Sequence, residues 1–522
     1  MKKILLSFVA IMALSLGVNA QWIEQASGFA TASRGIRCVY AVNSQVVWAT
    51  AYDGSGSGAA CQDVTVTSNG GNLWTPRTIG GVSNLDIANI VAYDADKAWV
   101  AMYPPAAATA GQGIYKTTDG GLTWTRQATA AYGSSSFVNV VYFWDQNLGY
   151  CMGDPINGEF EIYTTDDGGT TWTLVPGANI PNPLAGEYGT VGYYSAAGDT
   201  TWFGTTKGRV FRSIDNGHNW TMSAISGWGA KSTQPFTRNN MNTICGDRSA
   251  GSTGAMVRTT DGGTTWTPIV TTGQVFTNDM GYVPGTPSTW ITTGAATGMT
   301  GVTYSFNDGV AWNDMAATIG TQFLGTDWVN DSTGWAGGFN ADATTGGMFK
   351  FVGILAQCDF TSDLPAVAMG GTVKYSITEG AHSTSTVSWA FPGGTPATST
   401  NRRPSVVYNT AGSYNATLTV TNSWGVTTKV KTNVVYVGGV GVDDKTATSV
   451  SVYPNPVKDM MTLQGSSTIE NVTVTNMVGQ VVLSQKAEDT TVTINTSSLK
   501  SGVYNVRINM TSGSVNRKIV VQ

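Results

Sequence analysis

The sequence predicts an all-β chain: a ring of repeated small sheets followed by two immunoglobulin-like β-sandwich modules. Three observations predict it. An eight-residue pattern ending in Trp recurs six times, at Trp74, Trp124, Trp172, Trp220, Trp266 and Trp312, in steps of 46 to 50 residues. A period of that size belongs to supersecondary units that bury their apolar faces only against copies of themselves. Charged residues make up 12% of the chain while glycine numbers 64, and about 25% charge is usual for soluble domains. Strand-like segments such as 415–421 then alternate apolar and polar residues near the C-terminal end.

The first element is an export signal. Lys2 and Lys3 precede an apolar run over 4–16, and Val18, Asn19 and Ala20 form a small-x-Ala cleavage pattern, so residues 1–20 read as a signal peptide and Gln21 as the mature start. That run is too short to span a bilayer, and no later segment reaches the roughly 18 apolar residues a span needs. No transmembrane segment is therefore expected. Without Lys2 and Lys3 the chain has 26 basic against 33 acidic side chains, a balance that excludes nucleic acid as a partner. Only His218 and His382 are present, which removes the raw material for a His-based zinc site or a Ser-His-Asp hydrolase. No metal or cofactor is expected. Five cysteines are an odd number for an oxidising compartment, and Cys38 with Cys61 is the candidate disulfide because both fall near one end of the first repeat.

The repeats come next. Their clearest copies are 117–124 (TTDGGLTW), 165–172 (TDDGGTTW) and 259–266 (TTDGGTTW). In a hairpin turn of this composition the Asp carboxylate accepts backbone N–H groups, Gly supplies positive φ and the Trp folds back as an apolar plug. Between the boxes lie strands marked by Trp48, Trp99, Tyr150, Trp202, Trp290 and Trp335. This pattern resembles the Asp-box, or BNR, repeat of sialidase-like propellers. The resemblance makes Asp119, Asp167, Asp215 and Asp261 structural turn residues, with Trp74, Trp124, Trp172, Trp220, Trp266 and Trp312 as plugs. Asn69 and Asn307 replace the Asp in two copies. Seven intervals carry the inner strand but only six carry a box, and Trp22 precedes Trp74 by almost one period. The expected ring is thus a seven-bladed Asp-box β-propeller over 21–354 whose last blade borrows its outer strand from the N-terminus.

Two modules follow. Residues 388–394 (SWAFPGG) and 411–425 (AGSYNATLTVTNSWG) resemble a PKD domain, expected over 357–437, with Trp389 as its core Trp and Gly412 and Tyr414 opening a strand. Residues 438–450 read as a linker. Beyond it, 452–457 (VYPNPV), 499–504 (LKSGVY) and 517–522 (RKIVVQ) resemble the type A sorting domain of the type IX secretion system, expected over 451–522. That resemblance implies type IX secretion machinery as a partner and a secreted or cell-surface destination.

Candidate site residues lie on the face opposite the boxes. Asp53, Asp154 and Asp247 share one place after the inner strand of three alternate repeats and are the candidate carboxylates for glycoside hydrolysis, which needs a pair roughly 5 to 9.5 Å apart. Tyr188, Trp228 and Trp328 are the candidates for stacking a sugar. The sialidase likeness stops at the boxes, because the basic segment Arg34-Gly35-Ile36-Arg37 lacks a Pro and no Tyr-Glu pair accompanies it. Binding of an extracellular glycan or protein is the leading functional expectation, with PKD as spacer or adhesive module. A glycoside hydrolase and an envelope assembly scaffold are the competitors.

Overall fold

The computed structural model describes residues 22–105, 111–132, 136–249, 252–315, 320–353, 355, 358–379, 385–422, 425–438, 450–511 and 513–522. The expected signal peptide at 1–20, most of the 438–450 linker, His382 and Trp424 lie outside them. Strands dominate, and one 3-10 turn at Gly177–Asn179 is the sole helical segment among the described residues.

From Arg34 onward the chain forms four-stranded antiparallel meanders. The first runs through Arg34–Ala41, Val47–Asp53, Asp63–Thr67 and Thr75–Thr78. Five more follow, opened by the innermost strands Asp86–Ala92, Val138–Phe143, Gly189–Ala197, Thr233–Thr237 and Asp279–Tyr282. The last sheet has Thr326–Asn330, Thr333–Asp342 and Thr345–Phe351, and takes its fourth strand from Trp22–Ala26, in the register Trp22↔Phe351. Each innermost strand touches the next, and Arg34–Ala41 touches both Asp86–Ala92 and Thr326–Asn330, so the sheets close into a propeller around a central channel. Closure leaves no long unpaired edge.

The boxes form because their residues satisfy one another locally. In the second sheet the Thr117 hydroxyl donates to Asp119 Oδ1 at 2.8 Å and accepts from the Gly121 N–H at 2.9 Å, while the Thr123 N–H donates to Asp119 Oδ1 at 2.9 Å. Asp167, Asp215 and Asp261 repeat these bonds, as do Asn69 and Asn307. Hydrogen bonds from Thr123 hold the Asp119 carboxyl down at about 2. Gly120 and Gly121 have φ of 71° and 82°; at the first of these places Asn216 (59°) and Asp308 (53°) stand in for Gly, the residue types that tolerate the left-handed region best.

Tryptophans tie one blade to the next. Trp48, Trp99, Trp202, Trp290 and Trp335 are buried on the second strands. Trp99 stacks on Phe143 of the following blade at 3.8 Å, and its Nε1–H donates to the Gly168 carbonyl of that blade's box. Trp48 meets Trp124, and Trp202 meets Trp266, edge to face across the same kind of boundary.

Residues 358–437 form two sheets around Cys358, Phe360, Tyr375, Trp389, Phe391 and Tyr408. Leu355 still packs with the propeller core, so the two cores part between Leu355 and Cys358. The C-terminal module is hydrogen-bonded as a single five-stranded sheet. Its 17-residue strand Met460–Asn476 is irregular between Gln464 and Ile469 and pairs with three others around a separate core.

The expected Cys38–Cys61 disulfide is corrected by the structure. Both are free thiols. Cys38 packs against the cluster of Trp48, Leu85 and Ile87, whereas Cys61 belongs to the cluster of Phe29, Ile36 and Trp74. Burial pushes the two thiols up to about 12 and about 11.

Candidate functional site at the channel

Strand polarity separates two faces. Thr67, which opens a box, pairs with Val47, the first residue of its neighbour; Asp53, the last residue of that neighbour, pairs with Arg34. Boxes therefore lie at one end of the sheets and the starts of the innermost strands at the other.

Asp53, Asp154 and Asp247 do lie at that second end, but each is engaged by neighbours. Asp53 accepts from the Ser55 and Ser57 hydroxyls and sits 3.6 Å from Arg34 Nη1; the serine hydrogen bonds hold its carboxyl well below the usual range. Asp154 is buried, accepts from Asn139 Nδ2 at 2.7 Å and the Gly189 N–H at 3.0 Å, and burial raises it to about 6. Asp247 pairs with Lys231 Nζ at 2.6 Å. None of the three lines the channel cavities described below. Two stacking candidates are also corrected. Trp228 is buried under Lys231, and Trp328 is buried against Trp22 and Phe351 with its Nε1–H on Thr326. Their aromatic faces complete the core; only Tyr188, 52% exposed, faces solvent.

The channel contains two cavities. One of about 650 Å³, on the face opposite the boxes, is lined by Arg37, Tyr52, Asn89, Tyr193, Gln234 and Asp279 among others. The other, about 420 Å³ and toward the boxes, is lined by Tyr40, Tyr142, Tyr194 and Asp327 among others. They meet at Gly192, which lines both. The innermost strand Gly189–Ala197 departs from its pairing between Gly189 and Tyr194, and this excursion crosses to the second blade. Gly192 has φ of 74°, and a Cβ there would come within 2.8 Å of the Ala88 carbonyl oxygen. Only glycine allows that approach.

Side chains on the innermost strands stitch adjacent blades. Asn89 Oδ1 accepts from the Val141 N–H, Ser195 from Thr237, Asp279 from Thr326 and Asp327 from Ala41. The second oxygens of Asp279 and Asp327 accept the backbone N–H groups of Met280 and Trp328. Both carboxyls are enclosed by protein while partly open to the channel. Burial raises Asp279 to about 6 and Asp327 to about 7, with their mutual repulsion adding to Asp327.

This sets a pH dependence. Unfolded aspartates titrate near 3.9, so a folded state with raised values holds its protons longer. The stabilising contribution of these two carboxyls is complete below about pH 4 and is lost as pH rises through about 6 to 7. Urea midpoints of the propeller transition are expected to decline across that window, and Asp327→Asn to flatten the decline. A wild-type profile that stays level from pH 4 to 8 refutes the assignment.

The sequence reading missed a repeated cation. Lys116 lies 5.3 Å over Trp99 and donates to the Gly168 carbonyl; Arg212 over Trp202 donates to Gly262, and Lys350 over Trp335 to Gly70. Each joins its own inner Trp to the box of the next blade. The signal was present: Lys116 and Arg212 immediately precede the box Thr or Ser.

Fold and site together define an all-β protein with a propeller head whose channel holds a cavity on the face opposite the boxes. Its last two modules have family matches. Residues 364–437 match the PKD domain and residues 451–522 the secretion system C-terminal sorting domain. The latter directs the chain through the type IX secretion system to the cell surface or extracellular space. No helix among the described residues is long and apolar enough to cross a membrane. No curated protein matches the chain. Solved structures with a similar fold include YCF48 from Cyanidioschyzon merolae, at 14% identity and TM-score 0.46, covering 64% of this chain and 99% of that one. The GH74 xyloglucanase from Xanthomonas campestris is similar at 10% identity and TM-score 0.38, covering 95% and 87%. PorZ of Porphyromonas gingivalis, a surface component of the type IX secretion system, is similar at 11% identity and TM-score 0.22, covering 96% and 100%.

Proposed function

We propose that the propeller is an extracellular binding head that engages a glycan or protein at the channel mouth opposite the boxes, with the PKD module as its spacer or adhesive partner. One observation carries the reading. The 650 Å³ cavity there falls in the range of small-ligand sites, about 300 to 1,000 Å³, and its wall combines tyrosine rings with polar groups. The competing hydrolase reading draws on the raised carboxyls of Asp279 and Asp327 in the channel. Both oxygens of each already accept a backbone N–H group, a strand-joining role that favours the binding reading.

The test is saturable binding of the full secreted chain to an array of extracellular polysaccharides and host-surface proteins. Thr190 lines the cavity, and Thr190→Trp, which fills it, is expected to weaken binding at least about tenfold, the effect of losing roughly 1.4 kcal/mol of contact. Turnover of any polysaccharide that vanishes in Asp327→Asn would replace binding with hydrolysis. Undiminished binding by the filled variant would move the ligand off the channel.

A further inference from the structure

We infer that the channel mouth recognises the carboxylate of an acidic sugar, a single uronic acid residue within a glycan, with Arg37 as its charge partner. The inference rests on the reading of that mouth as a ligand site and names the chemistry it selects.

Arg37 reaches the channel through a backbone irregularity. The pairing of Arg34–Ala41 with its neighbour shifts between Ile36 and Cys38, which leaves Arg37 as the extra residue of a bulge. A bulge of this kind frees a residue from the ladder and re-aims its side chain. Here the guanidinium is aimed into the 650 Å³ cavity.

Its bonds use one nitrogen. Nη1 donates to the Ile87 carbonyl at 3.3 Å and to the Tyr103 hydroxyl oxygen at 2.7 Å. Nε and Nη2 donate to no described residue, and none of the ion pairs among the described residues includes Arg37. The free Nε and Nη2 N–H groups form the parallel edge that matches the two oxygens of a carboxylate. The Tyr52 and Tyr103 rings flank the guanidinium at 5.9 and 5.8 Å, which holds its plane in place for that contact.

Elsewhere in the wall, Asp279 turns its two carboxylate oxygens to the Met280 and Thr326 N–H groups, while Gln234 and Tyr193 suit a sugar. Gln234 accepts from Arg248 Nε through Oε1 at 2.7 Å, and its amide Nε2 has no partner among the described residues, which leaves it to donate to a ring hydroxyl. Tyr193 lines the same cavity and offers an aromatic face. The number of charges is also limited. Basic side chains total 28 against 33 acidic over the whole chain, so a densely charged polyanion would be repelled at long range. One isolated carboxylate on an otherwise neutral chain avoids that repulsion.

The experiment is isothermal titration of the full secreted chain with a xylo-oligosaccharide bearing one glucuronic acid, and with the same oligosaccharide after reduction of its carboxyl to the alcohol. The acidic form is expected to bind about ten- to a hundredfold more tightly, the usual range for a charge-assisted bidentate contact. The preference should disappear in Arg37→Gln and persist in Arg403→Gln, an exposed arginine of the PKD module. The comparison of the two sugars in the wild-type chain stands even if Arg37→Gln misfolds. Equal binding of both forms overturns carboxylate recognition and leaves the binding head intact. Absence of binding by either overturns the uronate assignment, while the binding head stands or falls on the array. Tighter binding of a sulfated oligosaccharide, or of a peptide with a free C-terminal carboxylate, overturns the uronate assignment.

Discussion

Deletion of residues 451–522 is expected to abolish the appearance of the protein at the cell surface and leave it in the periplasm. The prediction is clean because the module is structurally self-contained. All five of its strands pair only with one another, and its core of Met461, Leu463, Val472, Val506 and Ile519 takes no residue from the propeller or the PKD sheets. Its removal therefore withdraws the sorting signal without withdrawing a strand from the head. Cell fractionation with protease treatment of intact cells reads the outcome: the truncated chain should be protected, the full chain accessible. Unchanged surface display of the truncated chain would refute the assignment of these residues as the export signal.

Trp99→Ala is expected to be the most damaging single change among the propeller tryptophans, at about 3 to 5 kcal/mol. Trp99 is fully buried, stacks on Phe143 at 3.8 Å, donates to the Gly168 carbonyl at 3.1 Å and lies under Lys116. Truncation would open a cavity at a blade boundary, leave the box carbonyl with Lys116 as its remaining donor and remove the surface on which that lysine rests. Trp124, a box plug that remains partly exposed, should lose only about 1 to 2 kcal/mol when changed to Ala, because less apolar area leaves water there. Calorimetry on the full chain separates the cases, since the PKD and sorting modules have their own cores and serve as internal references. Equal losses at the two sites would mean that the plugs, not the inner tryptophans, hold the blades together.

What the sequence disclosed follows from how local each interaction is. The box is written in eight consecutive residues, and its bonds join residues two and four apart, such as Thr117 to Asp119 and to Gly121. A short pattern is therefore enough to read it. The borrowed outer strand was legible for a related reason: Trp22 keeps the phase of the plugs. The channel is the opposite case. Its wall is assembled from seven strands far apart in sequence, and which side chain enters it depends on bulges such as those at Arg37 and at 190–193. No periodicity announces a bulge. Asp53, Asp154 and Asp247 lie at the end of the sheets opposite the boxes, and their partners Ser57, Asn139 and Lys231 could be assigned only from coordinates. Trp228 and Trp328 looked available because they stand outside the repeat pattern, yet the packing of Lys231 and Trp22 against them is a tertiary event.

The N-terminal strand has a kinetic consequence. Many blade-to-blade bonds join residues roughly one period apart, as Lys116 and Gly168 do at 52, whereas the Trp22 Nε1–H reaches Met315 Sδ across 293 residues. Long separations make late, entropically costly contacts. The blades can therefore condense one after another as they emerge, but the ring stays an open arc until residue 351 is available to receive Trp22. Until then the arc exposes two strand edges and the apolar surface of Trp328 and Phe351, the features that invite aggregation or exchange between chains. The terminal strand thus acts as a clasp that closes the ring only after the last blade has formed.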